Sequence, residues 1–284
     1  MPVYTAKELQ QLTPKLKGKA GERIIRLMMR LFSVDRVNEL YDRTAHLRGA
    51  DCSDAMLRDV GIDYQVGHPE RLESLPEGAF ITVSNHPYGH LDGMMLVDLF
   101  GHVRPDYKLM VNQFLAKIET LSDNFINVVP NGNDIGTPKA ASLSGIRETL
   151  SRLREGHPVG CFPSGAVSDL NLKEHAIRDR QWQTAILRVI QKARVPVLPV
   201  RFFDGNSRTY YRLGLISPKV RLLKLLSEVF NKRGDVVRLG IGEVISPEEQ
   251  DLCENAEDLG VLLHNRVYGM PLPDDFRPRS SFSF

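Results

Sequence analysis

The most constraining stretch of the 284-residue chain is FITVSNHPYGHLDGMMLVDLF, residues 80–100, because its hydrophobic period changes in the middle. Phe80, Ile81 and Val83 read as a buried strand, whereas Leu91, Met94, Met95 and Leu99 recur at helical spacing. Between the two runs lies a short turn of Asn, Pro and Gly, crowded by His86, His90 and Asp92. A strand that feeds a helix this directly is half of an α/β crossover. Ligands of open α/β sheets bind beyond the carboxyl ends of the strands, which is where these polar groups fall.

The rest of the chain continues the alternation. Candidate strands at 80–83, 126–129, 159–162, 195–200 and 236–241 are separated by helix-like segments that include 91–100, 139–154 and 181–193. The spacing predicts an α/β fold with a largely parallel sheet flanked by helices. Three regions are expected: a helical N-terminal region over 1–65, an α/β domain over 66–250, and a C-terminal helix with a loose tail over 251–284. The looseness is read from PLPDDFRPRSSFSF at 271–284, rich in Pro, Ser and charge. In the first region, GERIIRLMMRLF is expected to gather Ile24, Met28, Leu31 and Phe32 on one helical face.

Composition removes some classes of function. The 37 Lys and Arg against 35 Asp and Glu leave a net charge of +2, too small for the global field a nucleic-acid binder needs. Cys52, Cys161 and Cys253 are odd in number and lack a CxxC spacing, so neither a disulfide framework nor a zinc ribbon is expected, and a reducing compartment fits. Cys161, in PVGCF, reads as an inert buried thiol, and Trp182 as a core residue. The N-terminus has no apolar run suited to a signal peptide, and nowhere do 18 apolar residues succeed one another. A cytoplasmic location is expected, peripheral on the inner face of the cell membrane. The basic segment 15–32, with Lys15, Lys17, Lys19, Arg23, Arg26 and Arg30, is either an interfacial helix or a helix packed on the α/β domain.

The His–Asp cluster admits three readings. It is a plain turn with Asn85 or Asp92 capping the next helix, or a metal site of His86, His90 and Asp92, or a general base with its orienting carboxylate. Pro87 succeeds His86 where the zinc-protease helix needs Glu, which weighs against the metal. A base of this kind normally serves a nucleophile, yet GCFPSGAVS has the wrong order around Ser164 for a nucleophile elbow. The hydroxyl to be activated then belongs to the substrate.

SNHPYGHLDG, succeeded in order by VGCFPSGAVSD and VPVLPVRFFDG, resembles the glycerolipid and lysophospholipid acyltransferase superfamily over roughly residues 77–245. The NHPYG form and GNSRTYYRLGLI at 205–216 are similar to its bacterial haemolysin-like branch, which includes O-acyltransferases of ornithine and glycine lipids. The resemblance implies His86 as catalytic base and Asp92 as its partner. Five residues separate them where four are commoner in the family, and the branch carries the extra residue. Asn85, Phe162, Pro163, Ser164 and Gly165 are implied as substrate-binding, with Ser164 where the family usually has Glu; Arg201, at a strand end, is added as a candidate grip for phosphate or carboxylate. The family's phosphate-gripping arginine block has no counterpart, since INVVPNGNDIG offers Asn131 and Asn133 instead.

The expected activity is that of an O-acyltransferase with acyl carrier protein or acyl-CoA as donor, a lyso-lipid hydroxyl as acceptor, the membrane surface as its workplace, and no metal or other cofactor. Backbone N–H groups around Gly165, or of the helix following Gly93, are expected to face the oxyanion. The rivals are a metal-dependent hydrolase on His86, His90 and Asp92, and a non-catalytic lipid-binding module.

Overall fold

Three helices, α1 (Gly18–Leu31), α2 (Val34–Thr44) and α3 (Gly49–Val60), open the computed structural model, which describes residues 5–6, 18–112, 115, 118–128 and 140–284. Next come β1 (Gln65–Gly67), β2 (Ile81–Ser84), α4 (His90–Val103), β3 (Lys108–Asn112), β4 (Phe125–Val128), α5 (Ala140–Arg154) and β5 (Val159–Cys161). A hairpin of β6 (Asp169–Asn171) and β7 (Ala176–Arg178) precedes α6 (Thr184–Ala193) and β8 (Val197–Phe202). The chain closes with α7 (Arg208–Ile216), α8 (Pro218–Asn231), β9 (Arg238–Ile241), the one-turn α9 (Pro247–Gln250), α10 (Ala256–Tyr268) and β10 (Phe276–Pro278).

Eight of these strands form one sheet in the order β10-β1-β9-β8-β2-β5-β3-β4. Pairing is parallel except where β9 meets β8 and β10 meets β1. The largely parallel α/β architecture expected from the alternation is therefore present, with an antiparallel step towards one edge. Helices cover both faces: Ile81, Val83 and Val197 pack with Leu187, Ile190, Leu259 and Leu263 of α6 and α10, while Leu198, Val200 and Leu239 share the other core with α3 and α4. All four residues of β2 are buried, as the middle of such a sheet requires. Thr82 there is satisfied by the Tyr107 hydroxyl at 2.7 Å. Neighbouring β8, β2 and β5 run parallel, so their carboxyl ends deliver residues 201–206, 85–89 and 162–168 to one rim.

Two expectations change. Helix α1 buries Ile25 and Met29 against Val34 and Leu226, while Ile24 and Leu31 stand exposed beside Leu27. The face expected from sequence is thus rotated, because the apolar residues of IIRLMMRLF wrap most of the helix and the period alone does not say which side meets the protein. The C-terminal tail is not loose either: β10 pairs with β1, and Arg279 is buried with the Nε–Nη2 edge of its guanidinium donating to both oxygens of Asp98, at 2.8 and 2.7 Å. Polar composition concealed this, since the anchoring is done by a charge whose partner lies 181 residues away. Lys15, Lys17, Asn131, Asn133, Val129 and Lys139 fall outside the described residues. Among the described residues no helix is long and apolar enough to cross a membrane.

Candidate active site

Beyond Ser84 the chain leaves β2 and turns, and the turn is held from all sides. The Asn85 side chain behaves like a peptide group: its Nδ2 donates to Phe202 O and its Oδ1 accepts from Phe202 N, both at 2.8 Å, bridging the turn to β8. The backbone N–H of His86 donates to Asp179 Oδ1 at 3.1 Å, and its carbonyl accepts from Ser168 N at 2.9 Å. Pro87 O accepts the Tyr211 hydroxyl at 2.8 Å, and Asn206 Nδ2 reaches the carbonyls of Pro87 and Tyr88. Gly89 then adopts φ +81°, and a Cβ there would meet Leu225 and Val167, so only glycine suits the tightest point of the turn.

Asp92 sits in the first turn of α4, wholly buried. Its Oδ2 accepts the N–H groups of Tyr88 and Gly89, each at 2.9 Å, and lies 2.8 Å from His86 Nδ1. That position closes the turn and sets one oxygen against the imidazole, although the approach to Nδ1 lacks hydrogen-bond alignment, while Oδ1 is buried without a hydrogen-bond partner among the described residues. Burial raises the Asp92 carboxyl above its usual range, against the opposing pull of His86 and the two N–H groups. The His86 ring stacks on Phe162, with centroids 3.9 Å apart and planes 25° from parallel. With Nδ1 turned to the carboxylate and the side chain still partly exposed, Nε2 is the ring atom left for a substrate.

The loop after β5 is a self-contained turn. Gly165, at φ +63°, donates to Phe162 O, and Gln183 ties the loop by donating from its backbone to Pro163 O and from Nε2 to Ser164 O. Ser164 is buried and its hydroxyl donates to Ala166 O at 2.8 Å. Of the four loop residues inferred to bind substrate, Phe162 stacks on the imidazole, while Ser164 and Gly165 have their polar groups spent within the loop. The Gly165 N–H is therefore not free for an oxyanion. Cys161 is buried and its thiol is pushed up to about 12 by desolvation, which accords with an inert side chain.

His90 begins α4, and its Nδ1 is buried without a partner among the described residues. Burial first, and then the neighbouring His86, press its pKa down to about 4, so it is a neutral imidazole near pH 7. Among the described residues no three His, Cys, Asp or Glu side chains converge as a ligand set for a metal.

Sequence reasoning missed Asp179. Its carboxylate accepts from the His86 N–H, the Ser168 hydroxyl at 2.6 Å and the Trp182 indole at 3.1 Å, while its own N–H donates to the Tyr268 hydroxyl. Trp182 is in the core as expected, yet it also steadies the residue behind the base. Nothing in IRDRQWQ distinguishes Asp179 from a surface charge. Arg201 donates to the carbonyls of Tyr268 and Met270, and lines a cavity of about 680 Å³ beside Asn85 and Pro87.

The model of a family described as acyltransferase matches residues 7–264. The chain belongs to that acyltransferase family. A lyso-glycine lipid O-acyltransferase of Bacteroides thetaiotaomicron is 25% identical to it over 271 residues, covering 92% of this chain and 95% of that protein. Among solved structures, a 1-acyl-sn-glycerophosphate acyltransferase from Thermotoga maritima is 18% identical, with a TM-score of 0.46 over 86% of this acyltransferase and 94% of that chain.

Proposed function

We propose that this acyltransferase moves an acyl group from a thioester donor, acyl carrier protein or acyl-CoA, to the hydroxyl of a lyso-lipid at a membrane surface. The observation that carries the reading is the His86–Asp92 contact of 2.8 Å at the rim of a parallel sheet, with the ring held flat against Phe162. His86 Nε2 takes the proton of the acceptor hydroxyl as its oxygen attacks the thioester carbonyl. Asp92 fixes the tautomer and stabilises the imidazolium that results. The tetrahedral oxyanion is met by the first-turn N–H groups of α4, whose helix dipole favours negative charge there. Collapse breaks the carbon–sulfur bond, and the imidazolium returns its proton to the leaving thiolate, giving an ester and a free thiol. Direct attack is favoured over an acyl-enzyme because the hydroxyls of Ser164 and Ser168 are bound to Ala166 O and Asp179.

The lyso-lipid acceptor is supported by what the Bacteroides relative is named for. The membrane surface is supported by α1, which packs Ile25 and Met29 inward and leaves Ile24, Leu27 and Leu31 exposed on the opposite side, near Lys19, Arg23 and Arg30. Purified protein with each donor and a panel of lyso-lipids, with products weighed by mass spectrometry, tests the activity. An acylated lipid lost in His86→Ala is expected; thioester hydrolysis without any acylated lipid would overturn the reading. Leu27→Ser with Leu31→Ser should weaken liposome sedimentation at every salt concentration, and unchanged sedimentation would remove α1 from the membrane.

A further inference from the structure

The cavity of about 680 Å³ next to the His86 turn is lined by four arginines, Arg178, Arg201, Arg208 and Arg212. Its single acidic residue among the described residues, Asp204, is already held by Arg238, with Nη2 2.6 Å and Nε 3.0 Å from the carboxylate. Arg178 has an ion pair with Glu174 at 3.1 Å, but among the described residues Arg201, Arg208 and Arg212 have no carboxylate partner. A chain whose net charge is only +2 thus concentrates unneutralised positive charge in one concave place.

Stability does not account for it. Arg208 and Arg212 lie four residues apart on α7, where like charges repel across one helical turn. Burial and the nearby Arg178 both disfavour the charge on Arg201, so adding more cations around it works against the fold. An anion in the cavity offsets each of these costs by attracting all of the cations at once. The walls say where that anion comes from. Asn85 and Pro87, on either side of the base, form one wall, and Leu170, Ile177 and Phe203 supply apolar surface. Beyond Arg212, α7 continues to Leu215 and Ile216, which are 52% and 82% exposed and offer apolar surface on the same helix.

Resting on the acyltransferase reading, we propose that this cavity is the acceptor's head-group site and that it grips an oxyanion, a carboxylate or phosphate at the polar end of the lyso-lipid. The arginines hold the anion while the lipid's hydroxyl lies towards the His86 turn. The apolar chain leaves past Leu215 and Ile216.

The test uses Arg208→Gln with Arg212→Gln in the full chain, because both side chains are exposed and without a carboxylate partner among the described residues, so that their loss spares the fold. With saturating donor, KM for a lyso-lipid bearing a free carboxylate should rise about tenfold or more, with kcat within about twofold. KM for its neutral carboxamide analogue should already be high in the parent and should not change in the variant. Equal KM values for the anionic acceptor in parent and variant would overturn the proposal. So would a rise in donor KM alone, which would assign the arginines to the phosphates of the donor. A second arm measures calorimetric binding of a single-chain N-acyl amino acid and of its amide. Arginine-dependent binding of the acid upholds the anion site even if no lyso-lipid is acylated, in which case the activity reading fails alone; equal binding of acid and amide overturns the site.

Discussion

Asp92 and Asp98 stand on the same helix, both with no exposed surface, and the protein surrounds them in opposite ways. Asp98 is saturated: Oδ2 accepts the Tyr64 hydroxyl at 2.7 Å and Arg279 Nε, while Oδ1 meets Arg279 Nη2 and lies 3.1 Å from His102 Nδ1. Burial pushes its carboxyl up, but the bonds from His102 and Arg279 outweigh this and hold it below the usual range. Among the described residues Asp92 has no cation except the imidazole it serves; it leaves Oδ1 unpaired and is raised by burial. A fully paired buried carboxylate is locked and ties the C-terminal tail to α4. An under-paired one gains most when its neighbour becomes positive, which in the proposed mechanism occurs in the transition state.

That contrast breaks first at the base. His86→Ala should lower transfer by about 10³-fold, and Asp92→Asn by about 10²-fold, with melting temperatures near the parent's. Full activity in either purified variant would remove the pair from the chemistry. At the other end of α4, Asp98→Asn leaves the buried Arg279 guanidinium with Asp54, 3.6 Å away, as its remaining carboxylate partner and should destabilise the fold by about 3 kcal/mol in denaturant titration. Activity per folded molecule should survive. If Asp92→Asn destabilises as much as Asp98→Asn, the two carboxylates do not differ as described.

Smaller effects sharpen the comparison. Phe162→Leu removes the aromatic stack on His86 and should reduce kcat about tenfold with little change in acceptor KM; an unchanged kcat would make the stack incidental. Stability against pH should separate the groups by sign. Asp98 is depressed in the folded state, so its contribution is full above the ordinary carboxylate value of about 4 and is lost as pH falls through the folded value. His102 is raised, chiefly by its bond to Asp98, so its contribution is full below about 6.5 and is lost as pH rises through the folded value. Asp92 is raised, and folding accordingly favours its protonated form and weakens as pH rises through its range. Urea midpoints should therefore fall less steeply towards acid in Asp98→Asn, which also removes the alkaline dependence that His102 owes to Asp98, and should fall less steeply towards alkali in His102→Gln; a profile unchanged in either variant would contradict the assignment. Smallest of all, His90→Gln should alter kcat by about threefold or less, because a neutral, unpaired imidazole loses little when replaced by a neutral amide.

Much of the site was legible because it is local. His86 and Asp92 are joined by a turn whose Pro87 and Gly89 announce it, and the period change at that turn marks the strand and the helix on either side. Phe162 was reached through its motif and does touch the base. Ser164 and Gly165 were reached the same way, yet they serve the loop, since motif spacing says which residues neighbour one another but not where a hydroxyl or an N–H points. Asp179, 93 residues from His86, carried no mark at all. Arg201 was visible as a cation at a strand end, but its hold on Tyr268 and Met270 was not, nor were the other arginines of its cavity.

By itself the amino-acid sequence determined the alternation of strands and helices, the turn that brings an imidazole against a carboxylate, and membership of an acyltransferase family, because each rests on contacts between residues close along the chain or on an ordered set of short motifs. Tertiary structure alone decided which face of α1 is covered, that the polar tail is clamped through Arg279 onto Asp98, and that Arg178, Arg201, Arg208 and Arg212 surround one cavity. The physical reason is range. Hydrophobic period reports whether a residue is to be buried, but the partner of a charge is chosen by which strands become neighbours, and in a parallel sheet those neighbours come from distant parts of the chain.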